Sequence, residues 1–152
     1  MTNATSDNLD PIEGFGESLP PHWNIITSDV LSSAIAVHRA LGPGLPERVY
    51  EQALEYELKS RNRKVDRQRR VQLTYKGLLL DPLVLDLVID DLVVLELKSI
   101  DKVADVHLFQ LVSYLIAAKL PLGLLLNFNV PLMKMGIYRR LNKLALPPGC
   151  RF

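Results

Sequence analysis

Residues 84–98, VLDLVIDDLVVLELK, set three ionisable side chains, Asp86, Glu96 and Lys98, into stretches that are otherwise strongly apolar. Removing a carboxylate or an ammonium from water is costly unless the charge is paired or holds a metal, so this density of buried charge points to a site. Glu96 and Lys98 are separated by one residue, and on a strand they leave from one face while Leu97 points to the other. Asp86 belongs to the preceding strand, and Asp90-Asp91 marks the turn between the two. An odd number of loop residues, or a bulge, brings Asp86 opposite Glu96 on a shared face; a two-residue loop separates them. A site therefore requires the odd register.

The composition is compatible with this reading and narrows it. A chain of 152 residues with 48% hydrophobic content is one domain of ordinary size with a real core, and a small α/β or α+β protein is the default. A net charge of +1 does not by itself mark a nucleic-acid binder. Cys150 is the single cysteine and cannot form an internal disulfide, and the start, MTNATSDNLD, does not resemble a signal peptide. Apolar runs break well before membrane-spanning length. The expectation is a cytoplasmic protein.

Residues 1–22 are polar, carry several Gly and Pro residues and lack a hydrophobic period, which reads as a flexible tail ahead of a single domain over 23–152. Thr27 or Ser28 suits an N-cap, and Leu31, Ala34, Ile35, His38 and Leu41 follow helical spacing up to Gly42-Pro43-Gly44. Pro46 suits the opening of a second helix to about Arg61, striped by Tyr50, Leu54 and Leu58. The basic run RNRKVDRQRR, 61–70, is read first as a solvated connector and second as a phosphate-contacting patch. Val71, Leu73 and Tyr75 alternate as a strand ahead of the two charged strands. A helix over about 104–119, a buried strand in 122–129 and a last strand in 136–141 complete the order.

Two helices carry polar residues out of keeping with their neighbours. Glu47, in the first turn of the second helix, is in phase with the inward stripe of Tyr50, Leu54 and Leu58; it complements the helix dipole or reaches a shared polar pocket. His107, Gln110 and Tyr114 line one edge of the otherwise apolar helix VHLFQLVSYLIAA, either as a surface rim or facing a polar partner. His38 and His107 lack a second His or Cys at ligand spacing and read as structural.

Taken together, Asp86, Glu96-Leu97-Lys98, Gln110 and Tyr114 resemble the PD-(D/E)XK nuclease superfamily, including its Gln-x-x-x-Tyr element. Gly44-Leu45-Pro46-Glu47-Arg48-Val49-Tyr50 is similar to the signature of the GxxExxY proteins of that superfamily. The resemblance runs from about Ile25 to Leu141. One departure is Val84, where the family pattern often has a basic residue two positions before the aspartate. The resemblance implies an α/β (α+β) restriction-endonuclease-like core, with a mixed sheet of about five strands flanked by helices. It implies Mg²⁺- or Mn²⁺-dependent hydrolysis of phosphodiester bonds of nucleic acid, DNA in the first place, since hard carboxylate oxygens suit those ions.

Under that resemblance Asp86, Glu96 and the Leu97 carbonyl hold the metal, with Glu47 completing the acidic pocket. Lys98 positions the attacking water and stabilises the developing phosphorane charge, and Gln110 and Tyr114 orient the water, the lysine or the phosphate. Two alternatives stand beside it. One is a catalytically silent member that binds nucleic acid or regulates. The other is an interaction protein whose Glu96 and Lys98 sit on a wet sheet face. The apolar content is also sufficient for a homodimer.

Overall fold

Strands β5 (Val93–Lys98) and β6 (Leu122–Asn127) are buried along almost their whole length. A sheet whose inner strands are apolar on both faces must be covered on both. The computed structural model, which describes residues 19–150, meets that demand with three helices. Helix α1 (Pro21–Leu41) and helix α2 (Glu47–Ser60) cover one face, packing Val30, Tyr50 and Leu54 against Leu87, Leu95 and Leu124. Helix α3 (Asp105–Ala118) covers the other, packing Leu108, Leu111 and Leu115 against Leu85, Val94 and Leu125. Gly123 permits this approach: a Cβ there would lie 2.8 Å from Leu111 Cδ1.

The five-stranded sheet has the order β1-β4-β5-β6-β7, with β1 (Val65–Val71), β4 (Leu83–Ile89) and β7 (Ile137–Leu141). All neighbours are antiparallel except β5 and β6, which are parallel and joined by α3. The fold is thus a mixed α/β sheet of five strands flanked by helices, as expected from sequence. A separate two-stranded hairpin, β2 (Thr74–Tyr75) and β3 (Leu78–Leu79), stands between β1 and β4. Among the described residues no helix is long and apolar enough to cross a membrane.

Several boundaries differ from expectation, each for a physical reason. Helix α1 opens at Pro21, not at Thr27 or Ser28. The Thr27 hydroxyl donates back to Trp23 O (2.9 Å) instead of capping a helix start. The tail expected over 1–22 lies mostly outside the described residues; of its last four, Leu19 is buried and Pro21 and His22 begin α1.

The basic run 61–70 is not a connector. It forms most of β1, an edge strand that pairs only with β4. Charged edge strands carry little period-2 apolar signal and resist edge-to-edge association. Arg61, Arg63, Lys64, Arg67 and Arg69 all make ion pairs, with Asp29, Glu51, Glu55, Glu57, Asp66, Asp90 and Asp91 as the acids. The strand expected at Val71–Tyr75 is accordingly split, with Val71 ending β1 and Tyr75 belonging to the small hairpin.

Candidate active site

The turn between β4 and β5 sets the register on which the site depends. Asp90 and Asp91 both have left-handed backbone (φ 52° and 53°), and the Leu92 N–H closes the turn on Ile89 O at 2.9 Å. Asp tolerates this region better than most side chains. Ile89 nevertheless pairs with Val93, leaving Leu92 as the extra residue of a three-residue loop. The loop is held from the two residues just before β1: the Asp90 N–H donates to Lys64 O (3.0 Å), Arg63 bonds Asp90 (2.7 Å), and Lys64 bonds Asp91 (2.6 Å). The bonds from Lys64 and Arg69 hold the Asp91 carboxyl below its ordinary range. The odd register that a shared face requires is therefore present.

From that turn the β4–β5 ladder runs only to Leu87 with Leu95. The β1–β4 ladder continues to Leu83, and the β5–β6 ladder to Lys98. The sheet thus forks, and Asp86 and Glu96 are the first facing residues inside the fork. The Asp86 carboxylate takes the place of a ladder partner, accepting the Leu97 N–H at 2.8 Å. The Asp86 N–H lies 3.4 Å from Glu96 Oε1. The Lys98 carbonyl accepts from the Phe128 N–H across to β6 (2.9 Å), so by alternation the backbone polar groups of Leu97 face β4, on the side of Asp86. Val94 packs on the α3 face, and alternation places Glu96 and the half-buried Lys98 toward it.

The electrostatics follow from this burial. Desolvation, followed by the charge of Asp86, pushes the Glu96 carboxyl up from 4.5 to about 8. Desolvation also raises Asp86; the Leu97 N–H opposes the shift, whereas the charges of Glu51 and Glu47 add to it. Lys98 favours the charged form of both acids, yet forms no ion pair among the described residues.

The acids on α2 divide differently from expectation. Glu47 is exposed rather than inward, at the edge of an open cavity of about 420 Å³ that it shares with Ser99 and Asn129. The buried acid is Glu51, one turn on, at 6% exposure. It accepts from Arg67 Nε (2.6 Å) and Gln68 Nε2 (2.8 Å). Successive strand residues normally point to opposite faces. Gln68, at φ 54°, breaks that alternation, and it sits where the β1–β4 pairing skips Asp86. The Glu47 phase, carried one turn further, identifies Glu51, but only the fold reveals its partners.

Gly44 to Tyr50 acts as a structural bracket for this corner. Tyr50 is fully buried and stacks on Phe128 at 4.4 Å. Its hydroxyl donates to Gly42 O (2.5 Å) and accepts from the Leu45 N–H (3.1 Å). Gly42 and Gly44 supply positive φ (71° and 92°) in the loop it fastens. Ser99, directly after Lys98, donates to Leu45 O (2.7 Å), tying the end of β5 to the start of α2. Asn127 adds a clamp, bonding both the N–H and the carbonyl of Ile100.

The remaining candidates fall on α3. Gln110 Nε2 donates to the Tyr114 hydroxyl at 2.7 Å, with Gln110 exposed and Tyr114 half-buried. They stand on the helix that covers the Glu96 face of the sheet, but their hydrogen bond is to each other and not to the fork. His38 and His107 are structural: His38 Nε2 bonds Val130 O (2.8 Å), and His107 Nδ1 accepts from the Ala104 N–H at the start of α3 (2.8 Å).

Among the described residues no group of three or more His, Cys, Asp or Glu forms a ready metal cage. The donor set at the fork still fits a hard divalent cation. Glu96 is buried and Asp86 half-buried, main-chain N–H groups lie against both carboxylates, and burial with neighbouring acids holds both carboxyls above their ordinary range. No curated protein and no solved structure matches the chain. A family model described as the PD-(D/E)XK nuclease superfamily matches residues 24–140, which span every strand and helix named above except the first residues of α1 and the last of β7. With a forked mixed sheet carrying Asp86 and Glu96-Leu97-Lys98 in that span, the chain belongs to the PD-(D/E)XK nuclease superfamily.

Proposed function

We propose that the protein is a metal-dependent nuclease that hydrolyses phosphodiester bonds of nucleic acid, DNA in the first place, at the fork between β4 and β5. The observation that carries this reading is the meeting of half-buried Asp86 with buried Glu96, one step beyond the last rung of the ladder, with Lys98 following Glu96 on the same strand face. Asp86, Glu96 and the Leu97 carbonyl are the residues that would hold Mg²⁺ or Mn²⁺, with Glu47 at the exposed rim completing the acidic set. The ion supplies positive charge against the scissile phosphate and makes water easier to deprotonate.

The chain's own groups supply the remainder. Lys98 directs an ammonium at the developing charge on phosphate and hydrogen-bonds the attacking water. Glu51, held by Arg67 and Gln68, fixes α2 against β1 and adds negative charge that favours a cation in the fork. Tyr50, Ser99 and Asn127 hold the two loops that border Lys98. Gln110 and Tyr114, as a hydrogen-bonded pair, orient the phosphate from α3. The Gly44–Tyr50 stretch supports membership of the GxxExxY group, and we place the protein in the cytoplasm.

The test is hydrolysis of linear, nicked and single-stranded DNA by wild type and Lys98→Ala, with and without Mg²⁺. Loss of an oxyanion-stabilising group costs about 10²–10³ in rate, and a drop of that size in the variant is expected. Equal residual activity in both proteins would assign the signal to a contaminant and leave a catalytically silent nucleic-acid-binding member.

A further inference from the structure

The β2–β3 hairpin has no role in the core. Its two strands pair only with each other, and Tyr75, Leu78 and Leu79 are 60%, 63% and 70% exposed. Two-stranded hairpins without packing are marginal in water, and clustered exposed apolar groups signal a contact. This hairpin is nonetheless held in shape. Lys76 and Gly77 make its turn with positive φ (49° and 81°). At its neck the Gln72 amide bonds both Leu73 O (3.0 Å) and Leu80 O (2.9 Å), and the Leu80 N–H bonds Leu73 O (2.9 Å).

Its position relates it to the fork. Val71 with Leu83 is the last pair of the β1–β4 ladder, at the end where β4 and β5 separate. Asp86 and Leu79 are therefore divided by at most about 25 Å of extended chain. Charge separates along the same direction. The cations from Arg61 to Arg69 are ion-paired, whereas Arg70 and Lys76 make no ion pair among the described residues. Lys76 Nζ lies 5.4 Å from the Tyr75 ring centroid. The only acid between Arg70 and Leu83 is Asp81, at the neck. Tyr75 and its cross-strand partner Leu78 share one hairpin face, and with unpaired cations flanking them they suit a polyanion that offers flat apolar faces.

Resting on the reading that the fork acts on nucleic acid, we propose that the β2–β3 hairpin is a base-stacking element that selects nucleic acid with unpaired bases beside the cleavage site. Tyr75 provides the stacking ring, Leu78, its cross-strand partner on the same face, covers the adjoining base edge, and Arg70 and Lys76 follow the phosphates. Blunt duplex hides its base faces and gains only the phosphate contacts.

The test compares wild type, Tyr75→Ser/Leu78→Ser and Tyr75→Trp. Fluorescence anisotropy in the absence of divalent ions reads binding to a labelled single-stranded oligodeoxynucleotide and to its blunt duplex, and sedimentation velocity reads the oligomeric state. Wild type should prefer the single strand. The double variant should bind it at least about fivefold more weakly while duplex binding changes by less than about twofold, and Tyr75→Trp should bind like wild type, because stacking needs the ring. Equal losses on both substrates, or none, overturn the proposal. So does a wild-type dimer that the double variant converts to monomer, which would make the hairpin a self-contact. Absence of binding to either substrate overturns this proposal, whereas the nuclease reading falls only if wild type also fails to hydrolyse either substrate with Mg²⁺. Hairpin-dependent binding without hydrolysis by wild type removes the nuclease reading alone; hydrolysis without hairpin dependence removes the stacking proposal alone.

Discussion

Asp86 and Glu96 face each other one step beyond Leu87 and Leu95, the last rung of the β4–β5 ladder, with the Asp86 N–H 3.4 Å from Glu96 Oε1. Both carboxyls are raised, chiefly by burial; the charge of Asp86 adds to the shift of Glu96, and those of Glu51 and Glu47 add to that of Asp86. Such a pair is a stability cost that a bound cation offsets, whereas a structural ion pair loses stability when one partner is removed.

Asp86→Asn is therefore expected to stabilise the metal-free protein by about 1 kcal/mol, raising Tm by about 2–4 °C, while abolishing Mg²⁺ binding. Calorimetry reads both quantities. A lower Tm together with unchanged Mg²⁺ affinity would show that Asp86 is a structural residue.

The pH dependence of stability has a definite sign. Glu96 holds its proton up to about 8 in the folded protein, against 4.5 for the ordinary group. Its protonation favours the folded state fully below 4.5, and that contribution is lost as pH rises through about 8. Urea unfolding of the metal-free protein between those limits should show stability falling with pH, and Glu96→Gln should flatten the slope. A slope that survives in Glu96→Gln would assign it to another group.

Glu47 and Glu51, one turn apart on α2, should behave in opposite ways. Glu51→Gln breaks the bond to Arg67 and should cost about 2 kcal/mol, less than the 3–5 of a fully buried pair because Arg67 retains access to water. Exposed Glu47→Gln should leave stability within about 0.5 kcal/mol and weaken Mg²⁺ binding about tenfold. Denaturant unfolding and metal titration on both variants separate the roles.

Tyr50→Phe keeps the stack on Phe128 but removes the hydroxyl between Gly42 O and the Leu45 N–H. A loss of about 1–3 kcal/mol is expected, with faster hydrogen exchange at Leu45. Unchanged exchange at Leu45 would mean that the loop is held without the hydroxyl.

Elements built from local chemistry are legible in the chain itself. Helix α2 opening after Pro46, α3, β6, and the pairing of Glu96 with Lys98 on one strand face follow from turn residues and apolar period. Strand β1 is not legible in that way, because its residues are charged and the acids that compensate Arg67 and Arg69 lie on α2, on the β4–β5 turn and at Asp66. The exposure of Glu47 and the burial of Glu51 are equally hidden, because a helical phase of one turn does not show which end of a helix projects past the sheet.

The sequence by itself determined the identity and strand spacing of the charged residues, since burying Asp86, Glu96 and Lys98 among valines and leucines is too costly unless they act together as a site. Tertiary structure alone decided that they meet. The odd register depends on two left-handed aspartates and an unpaired Leu92, held by bonds from Arg63 and Lys64, each 27 residues from the aspartate it binds. The fork depends on two ladders that continue after the one between them has ended. Local patterns specify which face a side chain leaves from; only long-range pairing specifies what stands opposite.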